Sequence, residues 1–248
     1  MDASPLGSVD KALLALDTLA GFGAAGAPLA VLAQTVGVSK PTLHRTLSAL
    51  RHRGYAEQTP EGAYRLGPAA VALGSTYLAE ENLPALLHPA LTALSEKTDE
   101  LVHLGVLAGR EVVYLDKVEP QRAVRVWSAV GRRRAAATTA LGRALLSVQD
   151  LDEAALVRFA GTDTSTQQLR GALDGARTSG IADETEENEA GIACIAVPLL
   201  RAGRAVAAVS ITAPVERLTG DARAERVTAL RDVLPALLPA GLAVPTAT

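Results

Sequence analysis

In GVSKPTLHRTLSALRHRGY, residues 37–55, six basic side chains (Lys40, His44, Arg45, Arg51, His52 and Arg53) stand among Leu43, Leu47 and Leu50. Forked and pointed cations at helical spacing suit phosphate oxygens and the guanine edge. The same pattern also fits a core helix with a solvated basic back. Other reactive types are scattered. Cys194 lies in the apolar run AGIACIAVP and His103 in LVHLGVL, a thiol and an imidazole that would serve nucleophilic chemistry if a third group oriented them. No GxSxG, P-loop or HExxH supplies such a framework, and a lone cysteine in an apolar strand reads first as inert core. His44, His52, His88 and His103 lack metal-ligand spacing. The run Asp183, Glu184, Glu186, Glu187 and Glu189 suits either a divalent cation or a solvated loop. The reading expects no catalytic residue, no metal and no cofactor.

The chain has 248 residues, 48% of them hydrophobic, with a net charge of −3. That length allows one large domain or a small and a medium one. One Trp, four Tyr and two Phe make the core aliphatic. A mildly acidic chain can still carry one basic face: residues 37–66 hold five Lys/Arg against two Asp/Glu. A single cysteine excludes an internal disulfide framework. MDASPLGSVDK does not have the form of a signal peptide. The uncharged stretch 18–39 is too interrupted by glycine and proline to span a membrane, so a cytoplasmic location is expected.

Short helices are expected first. Ser8 suits the cap of a helix whose apolar stripe is Val9, Ala12, Leu13, Leu16 and Leu19. GFGAAG, residues 21–26, fits the dinucleotide-binding pattern GxGxxG letter for letter, but it follows a helix rather than a strand and reads as a loop. Pro28 to Val36 forms a second helix ended by Gly37. Ser39 then caps a third. Pro41 lies in its first turn, where a missing N–H costs nothing, and Val38 and Leu43 form a hydrophobic staple. Its leucines face one way. Pro41, Arg45, Ser48 and His52 face the other, with Thr42 and His44 on the flanks. YAEQ, the turn TPEG and AYRL make a hairpin. Helix, helix, sharp turn, helix, hairpin is the order of a winged helix-turn-helix.

SVDKALLALDTLA, LAQTVGVSKPTLHRTLSALRHRGY and YRLG resemble the DNA-binding domain of the IclR family of bacterial transcription regulators. PAAVALGSTYLAEE resembles its linker helix. From about residue 100 the pattern changes. LVHLGVL and VVYLDKVE flank the turn AGRE, VRVWSAVG reads as another strand, and GRRR reads as a loop before a helix capped by Thr138 or Thr139. Helices follow near 152–159 and 166–179, then a hairpin of ACIAVPLL and AVAAVSIT, and a closing helix over 221–238. YLDKVE, VGRRRAAATTALGRALL and GIADETEENEAGIACIAVPLL resemble the family's effector domain, a GAF- or profilin-like antiparallel sheet with helices. The expected organisation is α+β: a winged helix-turn-helix over 1–67, a linker helix over 68–82 and an effector domain over 83–248.

As a recognition helix and wing, these segments would contact DNA through Ser39, Lys40, Pro41, Thr42, His44, Arg45, Tyr64 and Arg65. The resemblance further implies a small, often carboxylate-bearing effector at the helix start Thr139, Ala140, Leu141, with Glu184, Cys194, Ser210 and Thr212 around it. The family often has Asp at the position of Glu184 and Ala at that of Leu141, so the ligand's identity and size stay open. Glu184 would favour a ligand carrying a hydroxyl, amide or amine beside its acid group, or a neutral amide. Partners implied are a near-palindromic double-stranded operator, a small effector and a second copy of the chain, with tetramers an extension. A repressor is the first reading. The rivals are a GAF-like enzyme acting on a small molecule and a protein-interaction module.

Overall fold

The computed structural model describes residues 7–80, 82–122, 126 and 128–245, with the backbone alone over 76–80. It contains two compact units, 1–82 and 83–248. The first holds α1 (Gly7–Phe22), α2 (Leu29–Val36), α3 (Lys40–His52), β1 (Ala56–Gln58), β2 (Tyr64–Leu66) and α4 (Pro68–Glu80). Ser8 lies inside α1 rather than capping it. The stripe expected on α1 is rotated. Ala15 and Leu19 are buried and Ala12 and Leu16 pack against the core, but Val9 and Leu13 are 52% and 57% exposed. Helix α1 meets α2, α3 and β2 through the 12–15–16–19 side, which turns Val9 and Leu13 outward.

Four local signals fix this unit. Gly26 (φ 66°) passes so close to β2 that a Cβ would fall 2.4 Å from the Tyr64 carbonyl oxygen, which is where Ala27 and Tyr64 exchange backbone hydrogen bonds. Gly37 adopts a left-handed conformation (φ 74°) and ends α2 by donating to Ala33 and Gln34 carbonyls. Ser39 caps α3 by accepting from the Thr42 amide, with Pro41 in the first turn and Leu43, Leu47 and Leu50 buried. Between β1 and β2, the Gly62 amide donates to the Thr59 carbonyl and closes the TPEG turn.

The second unit opens with α5 (Leu83–Thr98), then β3 (Leu101–Ala108), β4 (Glu111–Val118), β5 (Arg133–Ala135) and α6 (Ala140–Ser147). There follow α7 (Glu153–Ala160), α8 (Thr166–Ser179), β6 (Ala182–Thr185), β7 (Ile192–Arg201), β8 (Arg204–Pro214), α9 (Gly220–Leu237) and β9 (Leu242–Ala243). The strands form one antiparallel sheet in the order β5-β4-β3-β8-β7-β6, with β9 on the far end of β7. Alternation along the strands separates two cores. Ile195, Val197, Val209 and Ile211 pack with α5 and α9, while Ala182, Cys194, Ala196 and Ala208 pack with α6 and α8.

Two strand expectations are corrected. In VRVWSAVG, residues 124, 125 and 127 lie outside the described residues, and Val126, Ser128 and Ala129 are not in a strand. The outer partner of β4 is instead β5, in the segment read as a basic loop. There Arg133 pairs with Glu111 across the strands at 2.7 Å, so the charges belong to a short edge strand. The acidic run is likewise not all loop. It begins in β6, where Ala182 and Glu184 point inward and Asp183 and Thr185 outward.

Candidate functional site

On α3, Ser39, Lys40, Pro41, His44, Arg45 and Ser48 are exposed and Thr42 is half-buried. The Ser39 and Thr42 hydroxyls lie 2.9 Å apart and secure the helix start. Arg51 donates to Gln58 Oε1, and Gln58 donates to the Gly62 carbonyl, so one of the six basic residues braces the wing. Arg65 lies on the wing, its Nε 2.6 Å from Glu57 Oε1 across the hairpin. Tyr64 is only 3% exposed: alternation turns its ring into the core, beneath the wing, so the expected side-chain contact with DNA is corrected to a supporting role. Lys11, which the sequence did not single out, shares a groove with Thr42, Arg45 and Thr46 between α1 and α3.

The second cluster lies on the α6 side of the large sheet. Thr139 caps α6: its hydroxyl accepts from the Gly142 amide at 3.2 Å and donates to the Ala135 carbonyl. No carbonyl within the helix reaches the amides of Ala140 and Leu141, which form its positive end. Leu141 packs in the same apolar cluster as Tyr114 and Cys194.

Glu184, Cys194 and Thr212 sit in register across β6, β7 and β8. Glu184 is 3% exposed. Its Oε2 accepts from the amides of Glu187 (3.2 Å) and Asn188 (3.4 Å), whereas its Oε1 has no partner among the described residues. Burial pushes its carboxyl above the ordinary range, against the pull of the Cys194 thiol and the two amides. Burial, reinforced by Glu184, also holds the Cys194 thiol well above its usual value, so it is protonated and a poor nucleophile. Cys194 Sγ lies 3.3 Å from Thr212 Oγ1. Ser210 is buried two residues from Thr212, and so on the same face, opposite His103.

His103 belongs to this cluster, a place that considering it only as a partner for the thiol missed. Its Nδ1 lies 3.4 Å from Thr212 Oγ1 and its Nε2 lies 2.7 Å from Ser128 Oγ, with the ring 4.6 Å from that of Tyr114. Burial, then Lys117 and Arg132, lower its pKa to about 3, so the ring is neutral. The alternation of LVHLGVL was the available signal: it places a polar ring on an inward face. Three other members of the acidic run are engaged: Asp183 with Arg223, Glu186 with the Gly191 amide, Glu187 with Arg143.

A winged helix-turn-helix with a basic outer helix face, followed by an α+β unit holding a buried polar row, is the architecture of a DNA-binding transcriptional regulator with a ligand-binding domain. The model of the bacterial transcriptional regulator IclR C-terminal region matches residues 75–236, and that of the IclR helix-turn-helix domain matches residues 8–60. The chain is similar to the HTH-type transcriptional regulator XynR of Escherichia coli (strain K12), 35% identical over 223 residues that cover 85% of this chain and 87% of that protein. It is also similar to the transcriptional repressor IclR of the same organism, 29% identical, covering 78% of this chain and 75% of that protein. The crystal structure of a putative ICLR transcriptional regulator from Silicibacter sp. TM1040 superposes with a TM-score of 0.77 at 27% identity, over 97% of this chain and 100% of that one. The chain belongs to the IclR family of transcriptional regulators.

Proposed function

We propose that this regulator is a repressor whose grip on a near-palindromic operator is altered by a small organic molecule. The repressor reading is carried over from the name of the E. coli relative. In this reading 1–67 bind DNA, 68–82 link and 83–248 sense the ligand. Lys40 takes a phosphate, Arg45 reads a guanine, and Ser39, Pro41, Thr42 and His44 line the same helix face. Arg65 approaches the backbone from the wing, and the Tyr64 ring supports it from below. One recognition helix reads too few bases for a selective site, so two copies act together. Val9 and Leu13 on α1 and Val71 and Leu73 on α4 are large exposed apolar side chains that a second copy would cover. Tetramers would require a further contact. DNA as partner, and no described helix long and apolar enough to cross a membrane, fit a cytoplasmic protein.

The observation that carries the ligand reading is Glu184 Oε1, a buried carboxyl oxygen without a partner among the described residues, on the strand β6 that packs against α6. An unpaired buried acceptor is costly, and a ligand donor relieves it. The helix amides at Ala140 and Leu141, capped by Thr139, take the ligand's anionic or amide oxygen. Thr212, Ser210 and the Cys194 thiol supply small donors and acceptors. The ligand is thus an acid with a neighbouring hydroxyl, amine or amide, or a neutral amide. In this reading the ligand is bound and not turned over, since burial holds the Cys194 thiol protonated. The test is a thermal-shift and calorimetric comparison of hydroxy acids, amino acids and their amides on wild type, Ser210→Ala and Glu184→Gln. Binding weakened in both variants with operator binding retained supports the site; unchanged affinity in both places the ligand elsewhere.

A further inference from the structure

Arg143 follows the ligand-facing start of α6, and it is only 4% exposed. Four contacts occupy its guanidinium. Nε donates to the Ala137 carbonyl (2.9 Å) and Nη1 to the Asp183 carbonyl (2.9 Å); Nη1 and Nη2 grip Glu187 Oε1 (2.8 Å) and Oε2 (2.5 Å). One planar fork therefore ties together three places: the turn before α6, the strand β6 at Asp183, and the turn after β6 at Glu187. The Glu187 amide in turn donates to Glu184 Oε2. A side chain on the helix thus fixes the loop that fixes one oxygen of Glu184 and leaves the other open.

We propose that Arg143 is the positioning residue of the ligand site: its guanidinium sets Glu184 Oε1 at a fixed separation from the α6 amides, and so selects ligands by the span between acceptor and donor. This rests on the reading of Glu184 and the start of α6 as that site. The geometry needs a fork. A lysine at this position would keep the charge but offers one nitrogen, which cannot serve two backbone carbonyls and a bidentate carboxylate at once. Glycine at 142 allows the close approach on which the clamp depends, because a Cβ there would lie 2.2 Å from the Ala136 carbonyl oxygen.

The test uses ligand-free, full-length protein, so its outcome is independent of whether Glu184 touches an effector; that question belongs to the Glu184→Gln binding comparison. Hydrogen exchange at the Glu187 and Asn188 amides is measured in wild type, Arg143→Lys and Glu187→Gln. Carboxyl carbon NMR follows the Glu184 titration in wild type and Arg143→Lys only, because removing the Glu187 charge would itself shift Glu184. Far-UV circular dichroism establishes that each variant is folded; Glu187, 40% exposed at its side chain, is the substitution that disturbs packing least. The proposal predicts protection of both amides falling by roughly tenfold or more in both variants. It also predicts that the raised Glu184 titration moves toward the ordinary carboxyl range in Arg143→Lys, because water reaching the group outweighs the loss of its two amide hydrogen bonds. A purely structural role would lower the melting temperature and leave both readouts in place. Unchanged protection in both variants, or an unchanged Glu184 titration in Arg143→Lys, overturns it.

Discussion

His103 and Thr212 sit on neighbouring strands with Nδ1 and Oγ1 3.4 Å apart, while the other ring nitrogen lies 2.7 Å from Ser128 Oγ. A neutral imidazole offers one donor and one acceptor, and two hydroxyls adapt to either tautomer. The buried ring is satisfied without a charge.

The stability of the second unit should therefore depend on pH through His103. Its folded pKa, about 3, lies below the ordinary imidazole value of 6.5, so between those values the unfolded chain binds the proton and the folded chain does not. That contribution is present above about pH 6.5 and is lost as pH falls toward 3. Glu184 acts in the opposite sense. Its raised folded pKa stabilises below the ordinary carboxyl value and is lost as pH rises through the folded one. Melting temperature recorded from pH 7 down to 4 should fall more steeply in wild type than in His103→Gln. Parallel curves would show that the ring is protonated in the fold.

Arg45→Ala should weaken operator binding by about 1–3 kcal/mol and relax the preference at one base pair, as loss of a guanine contact does. Lys40→Ala should weaken binding to every sequence and flatten the salt dependence. Anisotropy titrations at several salt concentrations separate the two. Equal, sequence-independent losses would remove the base-reading role from Arg45.

Arg65→Ala breaks a half-exposed ion pair with Glu57 and should change stability by less than about 1 kcal/mol. DNA affinity should fall more than that, because the hairpin loses both a cation and a cross-strand brace. A large drop in melting temperature with intact DNA binding would assign Arg65 to the fold alone.

Gly142→Ala should destabilise the second unit by about 1–3 kcal/mol, since the new methyl would meet backbone atoms of Ala136, which cannot swing aside. Chemical denaturation measures it. A neutral substitution would mean that α6 shifts freely against the preceding turn.

Much of this was legible in the chain because local chemistry dictated it. Ser39, Pro41 and the leucines at 43, 47 and 50 specify where α3 starts and which side it buries, independent of what packs there. The hairpins were legible for the same reason: alternation and turn residues act within a few positions. What the sequence hid depends on contacts distant in the chain. Val9 and Leu13 read as core, but the orientation of α1 is set by α2, α3 and β2. Strand β5 has a loop's composition, and only the proximity of Glu111 makes Arg133 an edge-strand residue. In the proposed ligand site, the resemblance named Glu184 and Thr212. The Arg143 clamp and the place of His103 emerge only when residues 44 and 109 positions apart are brought together.

The most direct test is a titration against DNA. Duplexes enriched from a random pool by the full-length protein should contain a near-palindrome. At near-physiological salt, that site should be bound roughly a thousandfold or more tightly than a scrambled duplex of equal length, and Arg45→Ala should erode the ratio. Equal affinity for the enriched and scrambled duplexes would contradict the account.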